Sequence, residues 1–437
     1  MSVATTVPVA ATGRPLRRGA MWLVLLGPFF FASYGFATWV ATQRAEVGVV
    51  VFAWERHIPL LPWTIIPYWS IDVLYAISLF VCTTPAELDR HARRLLTAQL
   101  VAVTCFILVP LRFSFARPEL DGVPGALFAV LASFDKPFNQ APSLHIALLV
   151  ILWDCYARHV PRRAGWLLHG WFALIGLSVL TTFQHHFVDT PTGALLGFFC
   201  LWLWPDTVSP LARPHLTHEP KRRKLALYYG LGAGLFAAMA AAFGGFGLWL
   251  FWPAVSLGLV AAIYGVIGTP GFQKGRDGRL SLAASWLLAP YLLGAWINTK
   301  LWKGDGRLHA LLCDGVSVGR IPAASAGFAA IVDVCAELPG AGAGHYAALP
   351  MLDLVTPSPA QLREAADAIE QARQHGTVLV CCALGYSRSA AAAATWLLVT
   401  GRAVDATAAI AQVRGVRPHL VLDAVAQSAV AAAANLA

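Results

Sequence analysis

The sequence predicts a multi-pass α-helical membrane bundle followed by a C-terminal α/β domain. Three observations carry this prediction. Hydrophobic residues make up 57% of the 437 positions and charged residues only 13%, about half the share usual in soluble proteins. The apolar residues gather in runs close to the roughly 20 residues a bilayer-spanning helix needs. Beyond residue 299 the pattern changes to short β-branched stretches alternating with amphipathic helical ones, the signature of strands paired with helices.

Taken in order, residues 1–19 are rich in Thr, Ala and Pro, carry Arg14, Arg17 and Arg18, and are expected to form a disordered cytoplasmic tail. Apolar runs at 20–41, 63–83, 95–111, 144–158, 164–183 and 187–204 are read as six spanning helices of a membrane domain, 20–205. The first run is long and no cleavage site follows it, so a retained helix is expected rather than a signal peptide. Basic clusters orient the bundle: Arg14 to Arg18, Arg90 to Arg94, Arg158 to Arg163, and Lys221 to Lys224 within a basic loop 206–224. By the positive-inside rule all four are cytoplasmic, and the gaps 42–62, 112–143 and 184–186 face the other side. The net charge of +9 is thereby assigned to cytoplasmic loops and lipid headgroups rather than to nucleic acid.

Further apolar runs at 225–245, 247–268 and 280–298 add two or three helices, the first rich in Gly and Ala as close packing requires. Eight crossings leave the domain 299–437 in the cytosol and nine place it outside. The adjacent thiols of Cys381 and Cys382 favour the cytosol. The expected location is thus a membrane, the bacterial inner membrane, with both termini cytoplasmic. The eight cysteines have no paired spacing for zinc or a disulfide framework.

In the C-terminal domain, 315–322 and 330–335 read as strands, and 359–375 and 405–414 as helices. The stretch 377–389, Thr-Val-Leu-Val-Cys-Cys-Ala-Leu-Gly-Tyr-Ser-Arg-Ser, reads as a strand, a tight loop and the start of an alanine-rich helix. Its loop carries Cys382 and Arg388 with five residues between them. A loop closing on a helix N-terminus turns backbone N–H groups inward and adds the positive end of the helix dipole. That field favours a thiolate, the nucleophilic form of cysteine. Arg388 offers a planar fork to two phosphate oxygens, Gly385 permits the tight backbone, and Ser387 and Ser389 supply further phosphate or sulfur contacts.

These residues resemble the signature loop of the cysteine-dependent protein tyrosine and dual-specificity phosphatases. In this chain Cys381 stands where the family usually has His, so oxidation between vicinal thiols is a further expectation. The resemblance implies a general acid on a loop about thirty residues upstream, a position Asp353 occupies.

The membrane half carries polar chemistry of its own. Arg112 and Arg117 lie in the gap 112–143, Pro142-Ser143-Leu144-His145 opens one helix, His185 ends another and Asp189 begins the next. Two imidazoles, a carboxylate and a guanidinium suit phosphate-ester chemistry: attack on phosphorus, orientation of the attacking ring, protonation of the leaving oxygen and charge neutralisation. The set resembles the type 2 phosphatidic acid phosphatase superfamily, which includes lipid phosphotransferases such as the inositol phosphorylceramide synthases. The resemblance implies His185 as nucleophile, Asp189 as its partner, His145 as general acid, and Ser143, Arg117 and Arg112 as phosphate contacts. Leu144 replaces a glycine, Ser178-Val179 replaces the third motif's Ser-Arg, and no lysine precedes Arg117 at the first motif's spacing. The first two departures are closer to the synthase branch. His186 reads as a neighbour rather than a participant, and His169 and Asp154 have no evident partner.

The expected function is a bifunctional integral-membrane phosphatase hydrolysing phosphate monoesters of membrane lipids, with a phosphoprotein as a further possible substrate of the C-terminal domain. Neither centre calls for a metal or cofactor. The alternatives are a lipid headgroup phosphotransferase with an accessory phosphatase domain, and a non-catalytic sensor or transporter.

Overall fold

The computed structural model describes residues 13–207, 209–212, 214–302, 306–340 and 344–436. It divides into two compact units, one ending at Ser209 and the other beginning at Pro210.

The first unit is all helical. It comprises α1 (Leu16–Thr42), α2 (Ile65–Val81), α3 (Pro85–Leu108), α4 (Gly122–Phe134), α5 (Leu144–His159), α6 (Gly165–Thr181) and α7 (Asp189–Leu203). Among the described residues of the whole chain, six helices are long and apolar enough to cross a membrane: 16–42, 62–81, 85–108, 162–181, 220–243 and 245–267. With 16 and 15 residues, α5 and α7 fall short of that length.

Five sequence expectations change here. The tail expected over 1–19 gives way to helix from Leu16, and residues 1–12 lie outside the described residues. The gap 112–143 contains α4, whose 13 residues are too few to span and so escape a search for runs of twenty. The cluster Arg90 to Arg94 is not a loop but part of α3, which starts at Pro85 behind a Thr84 cap. Two of its members are ion-paired, Arg94 meeting Asp154 at 3.0 Å and Arg90 meeting Asp206 at 2.9 Å. Asp154 therefore has a partner after all. So does His169, whose Nδ1 accepts from the Trp153 indole at 2.8 Å.

The second unit opens with α8 (Pro220–Phe243), whose first turn absorbs the basic stretch expected as a loop, and α9 (Phe251–Ala262), which runs on through a π-helical turn to Ile267. The run expected at 280–298 is broken at Leu288 into α10 (Leu282–Leu287) and α11 (Ala289–Leu301), because Pro290 cannot continue the preceding hydrogen-bond ladder.

A five-stranded sheet follows: β1 (His309–Cys313), β2 (Val316–Arg320), β3 (Ala330–Cys335), β4 (His345–Met351) and β5 (Val378–Cys382). The order is β1-β2-β5-β3-β4, with β1 antiparallel and the others parallel. β1 and β4, which lack a continuous β-branched run, were not expected from the sequence. Central β5 is apolar throughout and fully buried, as a parallel strand covered on both faces must be. The helices are α12 (Pro359–Arg373), α13 (Arg388–Val399), α14 (Ala406–Val416) and α15 (Ala424–Ala434). Ile369, Trp396 and Val430 join Val318, Val332 and Val380 in one core on the Cys382 side of the sheet. Ala323, Ile331, Leu379 and Cys381 form a separate cluster.

Candidate active sites

Strand β5 delivers Cys382 at its C-terminal end, and α13 begins six residues later at Arg388. The loop between them doubles back on β2. Gly385 has φ +75°, and a Cβ there would sit 2.7 Å from the Gly319 carbonyl, so both conformation and space demand glycine. Its N–H donates to the Cys382 sulfur at 3.3 Å, and Ser389 Oγ lies 3.3 Å from the same sulfur. The Ser387 carbonyl starts the α13 ladder by accepting from Ala391 N–H at 2.8 Å. The thiol thus sits at the base of the loop, under the Gly385 N–H, and is only 3% exposed.

Arg388 is arranged differently from expectation. Its two terminal nitrogens are taken by Glu337, at 2.8 and 2.7 Å, and one of them also donates to the Met351 carbonyl at 2.9 Å. The other meets Asp353 Oδ1 at 2.8 Å. The open fork predicted from sequence is therefore occupied, because a guanidinium buried to 1% exposure needs a carboxylate counter-charge. Its Nε–H has no hydrogen-bond partner among the described residues. Burial would raise the Glu337 carboxyl, but Arg388 outweighs it and holds Glu337 below its ordinary value. Asp353 is pushed the other way: burial raises it, and Arg388 only partly offsets that. A carboxyl held protonated to higher pH is suited to giving a proton.

Glu337 escaped the sequence reading because a lone glutamate two residues past a strand carries no motif. The same is true of the buried Lys274, which donates to the carbonyls of Cys335 and Leu338 at 2.7 and 2.8 Å and pairs with Asp333. Lys274 thereby grips the backbone on both sides of Glu337. Arg417 closes the far side, its guanidinium 5.1 Å over the Tyr386 ring and bonded to the Arg307 carbonyl at 3.1 Å.

The expected oxidation between vicinal thiols is not supported. Cys381 and Cys382 are consecutive on a strand, so their side chains leave opposite faces of the sheet. Cys382 belongs to the core under α13, Cys381 to the cluster with Ala323 and Leu379. Burial pushes the Cys381 thiol well up, away from its reactive form.

The first unit holds the second constellation. His185 Nδ1 lies 3.2 Å from Asp189 Oδ2, and its Nε2 lies 3.1 Å from Ser143 Oγ. The Ser143 N–H donates to the Asp189 carbonyl at 3.1 Å, tying the start of α5 to the start of α7. His145 is on the first turn of α5, its ring stacked 4.1 Å from Tyr68 and its Nε2 buried without a partner among the described residues. Arg117 folds back onto the carbonyls of Thr182 and Phe183 at 3.2 and 3.1 Å, just before His185. Arg112 is exposed and outside this hydrogen-bonded set. His186 is a neighbour that holds the surrounding backbone in place. Glu55 takes its Nδ1 at 2.9 Å, and its Nε2 accepts from Ser114 N–H at 3.1 Å. Glu55 and the half-buried Asp135, bonded to Tyr34 at 2.7 Å, are carboxylates that no sequence pattern marks.

Residues 317–430 match the family described as dual specificity phosphatase, catalytic domain. Among solved structures the chain is similar to PTPMT1 in complex with PI(5)P, at 16% identity over 30% of this chain and 96% of that one, with a TM-score of 0.27. It is similar to human DUSP28 at 24% identity, over 30% of this chain and 94% of that one, TM-score 0.27. It is similar to Tk-PTP in its active form at 26% identity, over 28% and 92% of the two chains, TM-score 0.24. No curated protein matches the chain. By the family match, residues 317–430 form a dual-specificity-phosphatase-like domain.

Proposed function

We propose that this chain is a membrane-bound phosphatase with two hydrolytic centres, both serving phosphate monoesters of membrane lipids. The observation that carries the first is the Cys382 sulfur at the base of the loop, under the Gly385 N–H, with Arg388 and Asp353 joined at 2.8 Å beside it. The Cys382 thiolate attacks phosphorus, forming a P–S bond as the P–O bond to the alcohol breaks. Asp353 hands its proton to the departing oxygen. Water then attacks the cysteinyl phosphate, the sulfur leaves as thiolate, and Asp353 recovers a proton from that water. The loop N–H groups, the α13 N-terminus and Arg388 Nε–H hold the phosphoryl oxygens.

In the second centre His185 is the nucleophile, oriented through Nδ1 by Asp189, with its Nε2 directed at phosphorus in place of Ser143 Oγ. His145 protonates the leaving oxygen, and Ser143 and Arg117 contact the phosphate. Helices of spanning length in the same chain support a bilayer substrate pool. Phosphotransfer to an alcohol is the second reading. It is favoured by Val179, fully buried where the hydrolase motif would have an arginine.

Phosphate release from a panel of lipid phosphates tests the proposal, with Cys382→Ser and His185→Ala each expected to remove one component. Release unchanged in both variants would return the chain to a non-catalytic role. Labelled lipid phosphate supplied with and without alcohol acceptors separates hydrolysis from transfer, since free phosphate without transfer product excludes the transferase.

A further inference from the structure

A cavity of about 370 Å³ lies within the second unit, against the cysteine centre. Its floor is Glu337, Asp353 and Ala383, the last being the residue after Cys382. Its walls are Phe236 of α8, Leu257 of α9, and Tyr291 and Gly294 of α11. Asp353 is the residue that the proposed mechanism has protonating the departing oxygen. Whatever lies on the Asp353 side of the phosphate is therefore the leaving alcohol.

From this geometry we infer that α8, α9 and α11 form a leaving-group chamber that takes the apolar body of a lipid phosphomonoester. The inference rests on the cysteine-phosphatase reading above and names the substrate class of that centre. Two observations argue for a lipid occupant. First, one side of the wall, Tyr229, Phe236, Pro253 and Leu257, belongs to the spans 220–243 and 245–267, both long and apolar enough to lie in a bilayer, so a lipid's chains reach the chamber without leaving an apolar setting. Second, a Cβ built on Gly294 meets nothing within 4 Å, so the chamber has open space on its α11 side. A phosphoprotein fits this space poorly. Its segment would bring backbone N–H and C=O groups against Phe236 and Leu257, where few partners await them, and each unpaired buried group costs roughly 1–3 kcal/mol.

The test uses the full-length chain in detergent micelles with His185→Ala as background, so that the first unit's centre is silent. Dioleoyl phosphatidic acid, p-nitrophenyl phosphate and a phosphotyrosine peptide are the substrates. Gly294→Leu and Leu257→Trp fill the chamber. They are expected to lower kcat/KM for the lipid about tenfold or more while leaving that for p-nitrophenyl phosphate within about twofold. Should the filling variants fail to fold, Phe236→Ala and Leu257→Ala enlarge the chamber, and a loss on the lipid alone is again expected. Equal losses on lipid and aryl phosphate in folded variants, no loss on the lipid, or faster turnover of the peptide than of the lipid would each overturn the inference. Adding Cys382→Ser to the background separates the two levels. If release persists without that thiol, the phosphatase reading itself is wrong; if release vanishes but the chamber variants do not discriminate, only the chamber is.

Discussion

Arg388 gives both terminal nitrogens of its guanidinium to the Glu337 carboxylate, at 2.8 and 2.7 Å, with both side chains almost fully buried. The pair occupies the terminal edge of the arginine and leaves Nε–H without a partner among the described residues. Glu337→Gln removes the bidentate carboxylate from a buried cation, leaving it only Asp353, and is expected to destabilise the second unit by about 3 kcal/mol. Because Glu337 sits below its ordinary pKa when folded, its stabilisation is present above the usual carboxylate range. It is lost as the pH falls through the folded value. Thermal unfolding from neutral to acid pH should therefore show a steeper acid loss in the wild type than in Glu337→Gln.

Asp353 carries the opposite shift. Its raised folded pKa keeps the proton at a pH where a free aspartate has lost it, so activity should decline on the alkaline side as that proton leaves. Asp353→Asn is expected to lower kcat/KM about 10²–10⁴-fold for an alkyl phosphate and to change it little for p-nitrophenyl phosphate, whose leaving group needs no proton. An alkaline limb unchanged in Asp353→Asn would dismiss it as the acid.

Cys381 faces away from the reacting sulfur. Cys381→Ser should leave phosphatase activity within about twofold, a surface-like effect on the chemistry. Peptide mapping after mild peroxide treatment should find oxidised Cys382 without a bond to Cys381. Recovery of a Cys381–Cys382 disulfide from folded protein would contradict the opposed faces of β5.

Lys274 is 1% exposed at its side chain and bound to Asp333, whose side chain is 0% exposed. Lys274→Met should cost about 3–5 kcal/mol of stability, as removal of one member of a buried pair does. It should also loosen Glu337, lowering kcat/KM at temperatures where the variant is still folded. A variant as stable and as active as wild type would rule out this anchoring role.

In the first unit, removing the His185 ring should abolish the lipid phosphate release that survives Cys382→Ser, while Arg112→Ala, at an exposed position outside the cluster, should alter it little. Phosphate assays on the double variants read both outcomes directly.

The cysteine centre was legible because its parts are adjacent in sequence: a buried strand, Cys382, Gly385 and Arg388 lie within residues 378–388, and local geometry alone brings them together. The apolar runs were legible for the same reason, each being a property of one segment. What linear reading could not supply were partners brought in from afar. Glu337 reaches Arg388 across 51 positions and Glu55 reaches His186 across 131. Neither glutamate lies in a recognisable pattern, and α4 was too short to register as a span.

Composition and local spacing by themselves determined that the chain has apolar helices, an α/β domain and a thiol poised on a helix N-terminus. Only the tertiary structure decided which edge of Arg388 is free, that the neighbouring thiols point apart, and that Asp353 borders an apolar chamber. The reason is that a side chain's protonation and reach depend on which distant groups share its burial, and burial is settled only when the elements pack.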